Sequence, residues 1–181
     1  MISTTATIKR RFDALASSYD RWDAEHRSVT KRRLSLLRPL RGKILEIAVG
    51  TGLNLPCYRK GADVTACDIS GGMLNHAATR LAGLDQNQIK LMKTDAHKLF
   101  FLDGTFDVVV GTFLFCSVDN PGKVAREIRR VLKPSGRFVT LGYRTEKVLQ
   151  LLGRAGLKIV SSKEWASEGR PIGQIVATRA T

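Results

Sequence analysis

The chain is short of acidic residues. Against 30 Lys and Arg stand 16 Asp and Glu, so the net charge is +14 and the pI is near 10.3. This excess excludes no fold, but it directs attention to anionic partners: nucleic acid, an acidic membrane face or an anionic ligand. Cysteine is scarce as well. Cys57, Cys67 and Cys116 are an odd number at wide spacings, which fits neither a disulfide framework nor a zinc knuckle, and a reducing, cytoplasmic compartment is the expectation. No apolar run approaches the roughly 18 residues of a membrane span. The opening MISTTATIKRRFD has no apolar stretch of the signal-peptide kind. No internal repeat, low-complexity tract or Pro/Gly-rich linker interrupts the 181 residues, which at 43% hydrophobic and 25% charged suffice for one domain with a buried core.

From Lys43 onward, apolar runs alternate with helix-patterned segments. Strands are predicted at 44–49, 62–69, 89–95, 106–115, 136–143, 157–165 and 173–179. A helix is predicted over 120–133, with Val124, Ile128 and Val131 on one face and Pro134-Ser-Gly136 stopping it, and another over 146–157. Near-continuous apolar strands separated by helices indicate a parallel sheet covered on both faces. The last two strands have no helix between them and should pair antiparallel. The expected fold is therefore α/β: a doubly wound, Rossmann-like seven-stranded sheet with the last strand antiparallel. Residues 1–41 read differently. Ile8, Phe12, Leu15, Tyr19 and Trp22 recur at helical spacing and predict one helix of about five turns; a second basic helix follows from about Ser28 to Arg38. Residues 1–43 hold 11 Lys and Arg and 4 Asp and Glu, so half of the excess charge sits there.

Glu46-Ile-Ala-Val-Gly50-Thr-Gly52-Leu-Asn54 lies where the first strand ends. Glycines at that point let the backbone turn tightly and let a ligand approach. Asp68, 18 residues after Gly50, ends the second strand, where a carboxylate can accept both hydroxyls of a ribose. These features suit an adenosine cofactor, and a tight turn without a ligand is the plain alternative. A nicotinamide dinucleotide fits less well: its fingerprint wants a third glycine where Leu55-Pro56 stands.

The segments FDALASSYDRW, KILEIAVGTGLNL, VTACDIS with Met73, KTDAHKLFFLDGTFDVVV and EIRRVLKPSGRFVTL, in that order, resemble the class I S-adenosylmethionine-dependent methyltransferases over nearly the whole chain. GTFLFCSVDNP is similar to the small ubiquinone-biosynthesis and phosphatidylethanolamine N-methyltransferase group. The resemblance implies S-adenosylmethionine as cofactor, a binding domain over 42–181 and lid or acceptor helices over 1–41. It implies that Glu46 orders the loop and faces the methionine amino group through water or backbone, with Gly50 and Gly52 beside the methionine portion. Asp68 would take the ribose, Ile69 and Met73 the adenine faces, and Asp95 the adenine amino group beside the Ala96 backbone. The Thr112 backbone would meet the methionine amino group, and Tyr19 would close over its carboxylate. Ala48 stands where the family usually has glycine, which alanine can replace if the backbone angles there are ordinary.

Methyl transfer from a sulfonium is an in-line displacement from an activated donor, so alignment and exclusion of water matter most. A general base is needed only if the acceptor must lose a proton. His97 reads as a loop residue, Cys116 as a packed one, and His26, near the amino-terminal helices, is the catalytic candidate. No metal ligand set is expected. Tyr143-Arg144-Thr145 leads directly to Glu146, so no cap segment follows the fifth strand and an open or shallow site is expected. The favoured acceptor is a heteroatom of a lipid or small amphipathic molecule, and peripheral contact with an anionic membrane through the basic amino-terminal stripe is the accompanying expectation. Nucleic-acid methylation, supported by charge alone, and a non-catalytic protein holding the cofactor or its product are the alternatives.

Overall fold

The computed structural model describes residues 4–21, 27–85, 88–143, 145–166 and 171–180. Strands β1 (Lys43–Ile47), β2 (Asp63–Asp68), β3 (Ile89–Lys93), β4 (Phe106–Thr112), β5 (Leu132–Tyr143), β6 (Leu157–Trp165) and β7 (Ile172–Arg179) form one seven-stranded sheet in the order β3-β2-β1-β4-β5-β7-β6. Pairings are parallel except those of β7, which runs antiparallel to both β5 and β6. The helices are α1 (Thr5–Leu15), α2 (Arg27–Leu37), α3 (Gly71–Ala82), α4 (Pro121–Val131) and α5 (Thr145–Arg154).

Strand alternation sorts the core into two layers. Ile44, Val64, Val108 and Val139 pack with Leu37 of α2 and Ala77 of α3; Leu45, Cys67, Val109 and Phe138 pack with Val124 and Ile128 of α4 and Leu152 of α5. The α4 stripe of Val124, Ile128 and Val131 is fully buried, which contributes about 1.5–3 kcal/mol per side chain. Asn120 opens that helix by accepting from Lys123 N, with Pro121 in the first turn. Helices after β2 cover one face and those after β4 and β5 the other, so the winding direction reverses between β1 and β4. Ligands of open α/β sheets bind at the carboxyl ends of the strands beside such a reversal.

Three local expectations are corrected. The amino-terminal helix does not run unbroken for five turns: it ends at Leu15, where Ser18 N and Ser18 Oγ both donate to the Leu15 carbonyl. A serine hydroxyl that competes for a helix carbonyl favours such a stop. Trp22 lies outside the described residues. The fifth strand starts at Leu132 rather than Gly136; its register to β4 jumps between Phe106 and Val108, and Pro134, which has no N–H to donate, falls in that irregular stretch. Cys116 is exposed rather than packed, its thiol 3.1 Å from the Phe113 carbonyl. As expected, Tyr143 ends β5 and Thr145 opens α5, with no cap segment between.

Candidate functional site

The turn after β1 is built on left-handed backbone. Ala48, Gly50 and Gly52 have φ of 57°, 58° and 83°. Ala48 thus adopts the conformation that glycine takes without strain, so the condition of ordinary angles, under which alanine replaces glycine there freely, is not met. At Gly50 a Cβ would meet nothing within 4 Å, so the backbone borders open space. At Gly52 a Cβ would lie 2.8 Å from Leu55 and 3.1 Å from the Ala77 backbone, so glycine lets the turn approach α3. The short 3-10 helix Leu55–Cys57 follows.

Alternation along β1 turns Glu46 away from the side of Leu45 and Ile47, to a fully buried position beneath the turn. Its carboxylate accepts from Asn54 Nδ2 at 2.7 Å and from the Tyr58 hydroxyl at 2.8 Å. Burial raises its pKa to about 7, against the lowering influence of those donors and of nearby Arg33. Asn54 Nδ2 also donates to Thr112 Oγ1 at 2.9 Å, which ties the turn to the end of β4. Each Glu46 oxygen thus has a donor from the turn or the segment after it, and Glu46 does not border the cavity above.

Asp68 ends β2 and is also buried. Gly50 N donates to Oδ2 and Ser70 N to Oδ1, both at 2.9 Å. Burial raises its pKa, opposed by the N–H groups of Ser70, Gly50 and Ile69. Ser70 then caps α3 by accepting from Met73 N.

Two contacts, neither of them read from the sequence, fasten the amino-terminal segment. Asp13 Oδ1 accepts from Ser70 Oγ at 2.6 Å and Gly72 N at 3.1 Å, at the start of α3. Its Oδ2 accepts from Lys9 at 2.6 Å, and these donors, Lys9 foremost, hold the Asp13 pKa down at about 2. A carboxylate at a helix amino terminus also meets the positive end of the helix dipole. Five residues beyond α1, Asp20 accepts from Thr51 Oγ1 and from Arg80 Nη2, each at 2.5 Å, and Arg80 also donates to the Thr51 carbonyl. Partners 31 to 60 residues apart leave no periodic trace in a sequence.

These elements border a cavity, partly open to solvent, at the carboxyl ends of β1, β2 and β4 and beside the segment after β3. Tyr19, Gly50, Asp68, Ile69, Met73, Asp95, Ala96 and Thr112 line it; Glu46 and Gly52 do not, and His26 lies outside the described residues. The wall also includes His97, Leu114 and Val118, and the roof is Thr5, Ile8, Phe12 and Tyr19. The site is thus covered by α1 and is not shallow on that side, and His97 is a wall residue of the loop in which it was placed. The Phe12 and Tyr19 rings meet edge to face at 6.4 Å. No Lys or Arg borders the cavity among the described residues, whereas Asp68 and Asp95 do. The residues fit an adenosine sulfonium: each Asp68 oxygen keeps an acceptor position beyond its backbone bond, Gly50 leaves room, Ile69 and Met73 supply apolar surface, and the wall favours a cation.

Comparison with known proteins agrees. The methyltransferase domain family matches residues 45–140. The chain is 32% identical over 166 residues to phosphatidylethanolamine N-methyltransferase of Cereibacter sphaeroides, covering 86% of this chain and 82% of that one. The chain belongs to the class I S-adenosylmethionine-dependent methyltransferases. It is also 36% identical to demethylmenaquinone methyltransferase of Clavibacter sepedonicus and 34% identical to the ubiquinone/menaquinone biosynthesis C-methyltransferase UbiE of Desulfotalea psychrophila. Each match covers 78% of this methyltransferase but 60% of the relative's length. In fold it is similar to the [4+2]-cyclase SpnF, with TM-score 0.83, 16% identity and coverage of 99% and 97% of the two chains. A methyltransferase from Aquifex aeolicus gives TM-score 0.67, 20% identity and coverage of 83% and 87%.

Proposed function

We propose that this methyltransferase transfers the methyl group to an amine, or another heteroatom, of a lipid or small amphipathic acceptor at a membrane surface. The observation that carries the reading is the cavity wall. It is apolar along Ile8, Phe12, Leu114 and Val118, carries Asp68 and Asp95, and has no Lys or Arg among its described residues. Such a wall suits a cationic cofactor and an ammonium acceptor, while an anionic phosphate is better met outside. Arg10 and Arg11 project outside, exposed on the helix that roofs the site. The near end-to-end match to a phosphatidylethanolamine N-methyltransferase supports the same class.

In this reading the bound cofactor supplies an activated methyl on a sulfonium. Asp68 anchors the ribose, Asp95 and the Ala96 backbone take the adenine edge between Ile69 and Met73, and Tyr19 closes on the methionine carboxylate with the α1 roof excluding water. Gly50 and Gly52 keep the turn close to the methionine portion, and Thr112 ends β4 beside it. An ammonium acceptor must shed a proton before attack. Among the described residues no helix is long and apolar enough to cross a membrane, so membrane contact in this reading is peripheral.

A tritiated-methyl assay against cell extract, separated into lipid, small-molecule, RNA and protein pools, tests the acceptor class. Label in lipid supports the reading; label in RNA or protein alone overturns it. Sedimentation with anionic but not zwitterionic vesicles, reduced by about 0.5 M salt, tests the membrane part. Arg10→Gln with Arg11→Gln is the matching variant, because Lys9 is engaged with Asp13. A quinone ring carbon is the second reading, favoured by the quinone-side relatives, and label on a quinone in the lipid pool would select it.

A further inference from the structure

We infer that His97 is a positioning residue that couples recognition of the adenine to closure of the amino-terminal helix. The inference rests on the reading of Asp95 as the acceptor of the adenine amino group. His97 is 8% exposed and borders the cavity between two carboxylates. Nδ1 lies 2.7 Å from Asp95 Oδ1, and Nε2 lies 2.8 Å from Asp119 Oδ1. Asn120 N is a longer contact to Nε2, at 3.4 Å. The backbone N–H of His97 donates to the same Asp95 oxygen at 2.9 Å. On the far side, Thr5 Oγ1, in the first turn of α1, donates to Asp119 Oδ2 at 3.0 Å. One chain of contacts thus runs from the roof helix to the adenine loop: Thr5, Asp119, His97, Asp95.

Each link has a physical consequence. Asp95 is partly exposed, and a lone carboxylate there would rotate freely; two contacts on Oδ1 fix its plane and leave Oδ2 without a hydrogen bond among the described residues. A rigid imidazole with nitrogens on opposite edges transmits the position of Asp119 to Asp95. Hydrogen-bonded chains in a partly desolvated wall reinforce one another. Coupling is reciprocal: if the Thr5 bond tightens the cofactor, the cofactor tightens the Thr5 bond by the same factor. The links run between residues 22 and 114 apart, or within one short loop, which is why His97 reads as an ordinary loop residue in the sequence.

The amide isosteres separate the two halves of the ring. Asparagine places an N–H near the Nδ1 position and keeps the bond to Asp95; glutamine reaches the Nε2 position and keeps the bond to Asp119. Calorimetric affinities of the full chain are measured for S-adenosylhomocysteine and its inosine counterpart, which lacks the amino group, in proteins checked for an unchanged far-UV spectrum. The expected result has three parts. Thr5→Val weakens S-adenosylhomocysteine about 3- to 10-fold in the parent, the loss of one hydrogen bond, but less than about 2-fold in a His97→Asn background. His97→Asn keeps most of the preference for adenine over inosine. His97→Gln loses it as Asp95→Asn does. If Asp95→Asn abolishes the preference while Thr5→Val costs the same factor in the parent and in His97→Asn, the coupling is overturned and the base reading stands. If Asp95→Asn retains full preference for adenine, the base reading falls and the inference with it.

Discussion

Changing Glu46 to Gln should alter how stability depends on pH more than it alters the fold. The unfolded chain holds this carboxyl at its ordinary 4.5, while burial raises it to about 7 in the folded protein. A raised folded pKa means that the folded state binds the proton more tightly. The stabilisation is complete below about pH 4.5 and is lost as the pH rises through about 7. At about 1.4 kcal/mol per pH unit, the gap makes the full loss about 3.5 kcal/mol, of which the range from about pH 5 to about pH 8 covers most. The substituted glutamine can still meet Asn54 or Tyr58 and carries no charge, so the variant's profile should lack this slope. Urea unfolding of the cofactor-free parent and variant at about pH 5 and about pH 8 measures the difference. Asp68, whose carboxyl is also raised by burial, is present in both proteins and cancels. The parent should lose up to about 3 kcal/mol relative to Glu46→Gln between the two pH values. Parallel profiles would show that Glu46 ionises in the folded protein as easily as in water, and would refute the assignment of burial as the dominant influence.

Ala48→Gly removes a left-handed alanine at φ 57° and should stabilise the fold by about 1 kcal/mol, the relief of strain less the extra freedom of glycine when unfolded; an unchanged or lower urea midpoint would contradict it. Asp13→Ala leaves Ser70 Oγ and Gly72 N without their carboxylate, so amide exchange over residues 5–15 should speed up about 10-fold or more while the sheet is unaffected; equal exchange would show that α1 is held by other contacts. Tyr19→Phe should weaken S-adenosylmethionine by about 0.5–3 kcal/mol without changing the unfolding midpoint, and a cofactor complex with Tyr19 turned away from the ligand would refute the closure.

The sheet and much of the cavity lining were legible because each leaves a local trace. Ile44 and Leu45 alternate between the two core layers, the Val124–Ile128–Val131 stripe repeats at helical spacing, and Gly50 and Asp68 sit where strands end. The roof was legible in part: Ile8, Phe12 and Tyr19 fall on one side of the cavity even though the helix stops at Leu15. What holds the roof down left no trace, because Asp13 meets Ser70 and Asp20 meets Arg80 through polar side chains whose types recur throughout a basic chain. The pairing of Glu46 with Asn54 and Tyr58 is local in sequence yet invisible to patterning, since hydrophobic periodicity carries no record of which polar side chains meet. Ala48 gave no signal either: its conformation is imposed by the turn around it, not by alanine's own preference.

Calorimetric titration of S-adenosylmethionine into the parent and into Asp68→Ala tests the central claim, that this cavity holds the methyl donor through Asp68. The parent should bind, and the variant should bind about 10- to 100-fold more weakly, for the loss of one or two charge-assisted hydrogen bonds to the ribose. A parent that does not bind, or a folded variant of unchanged affinity, would contradict it.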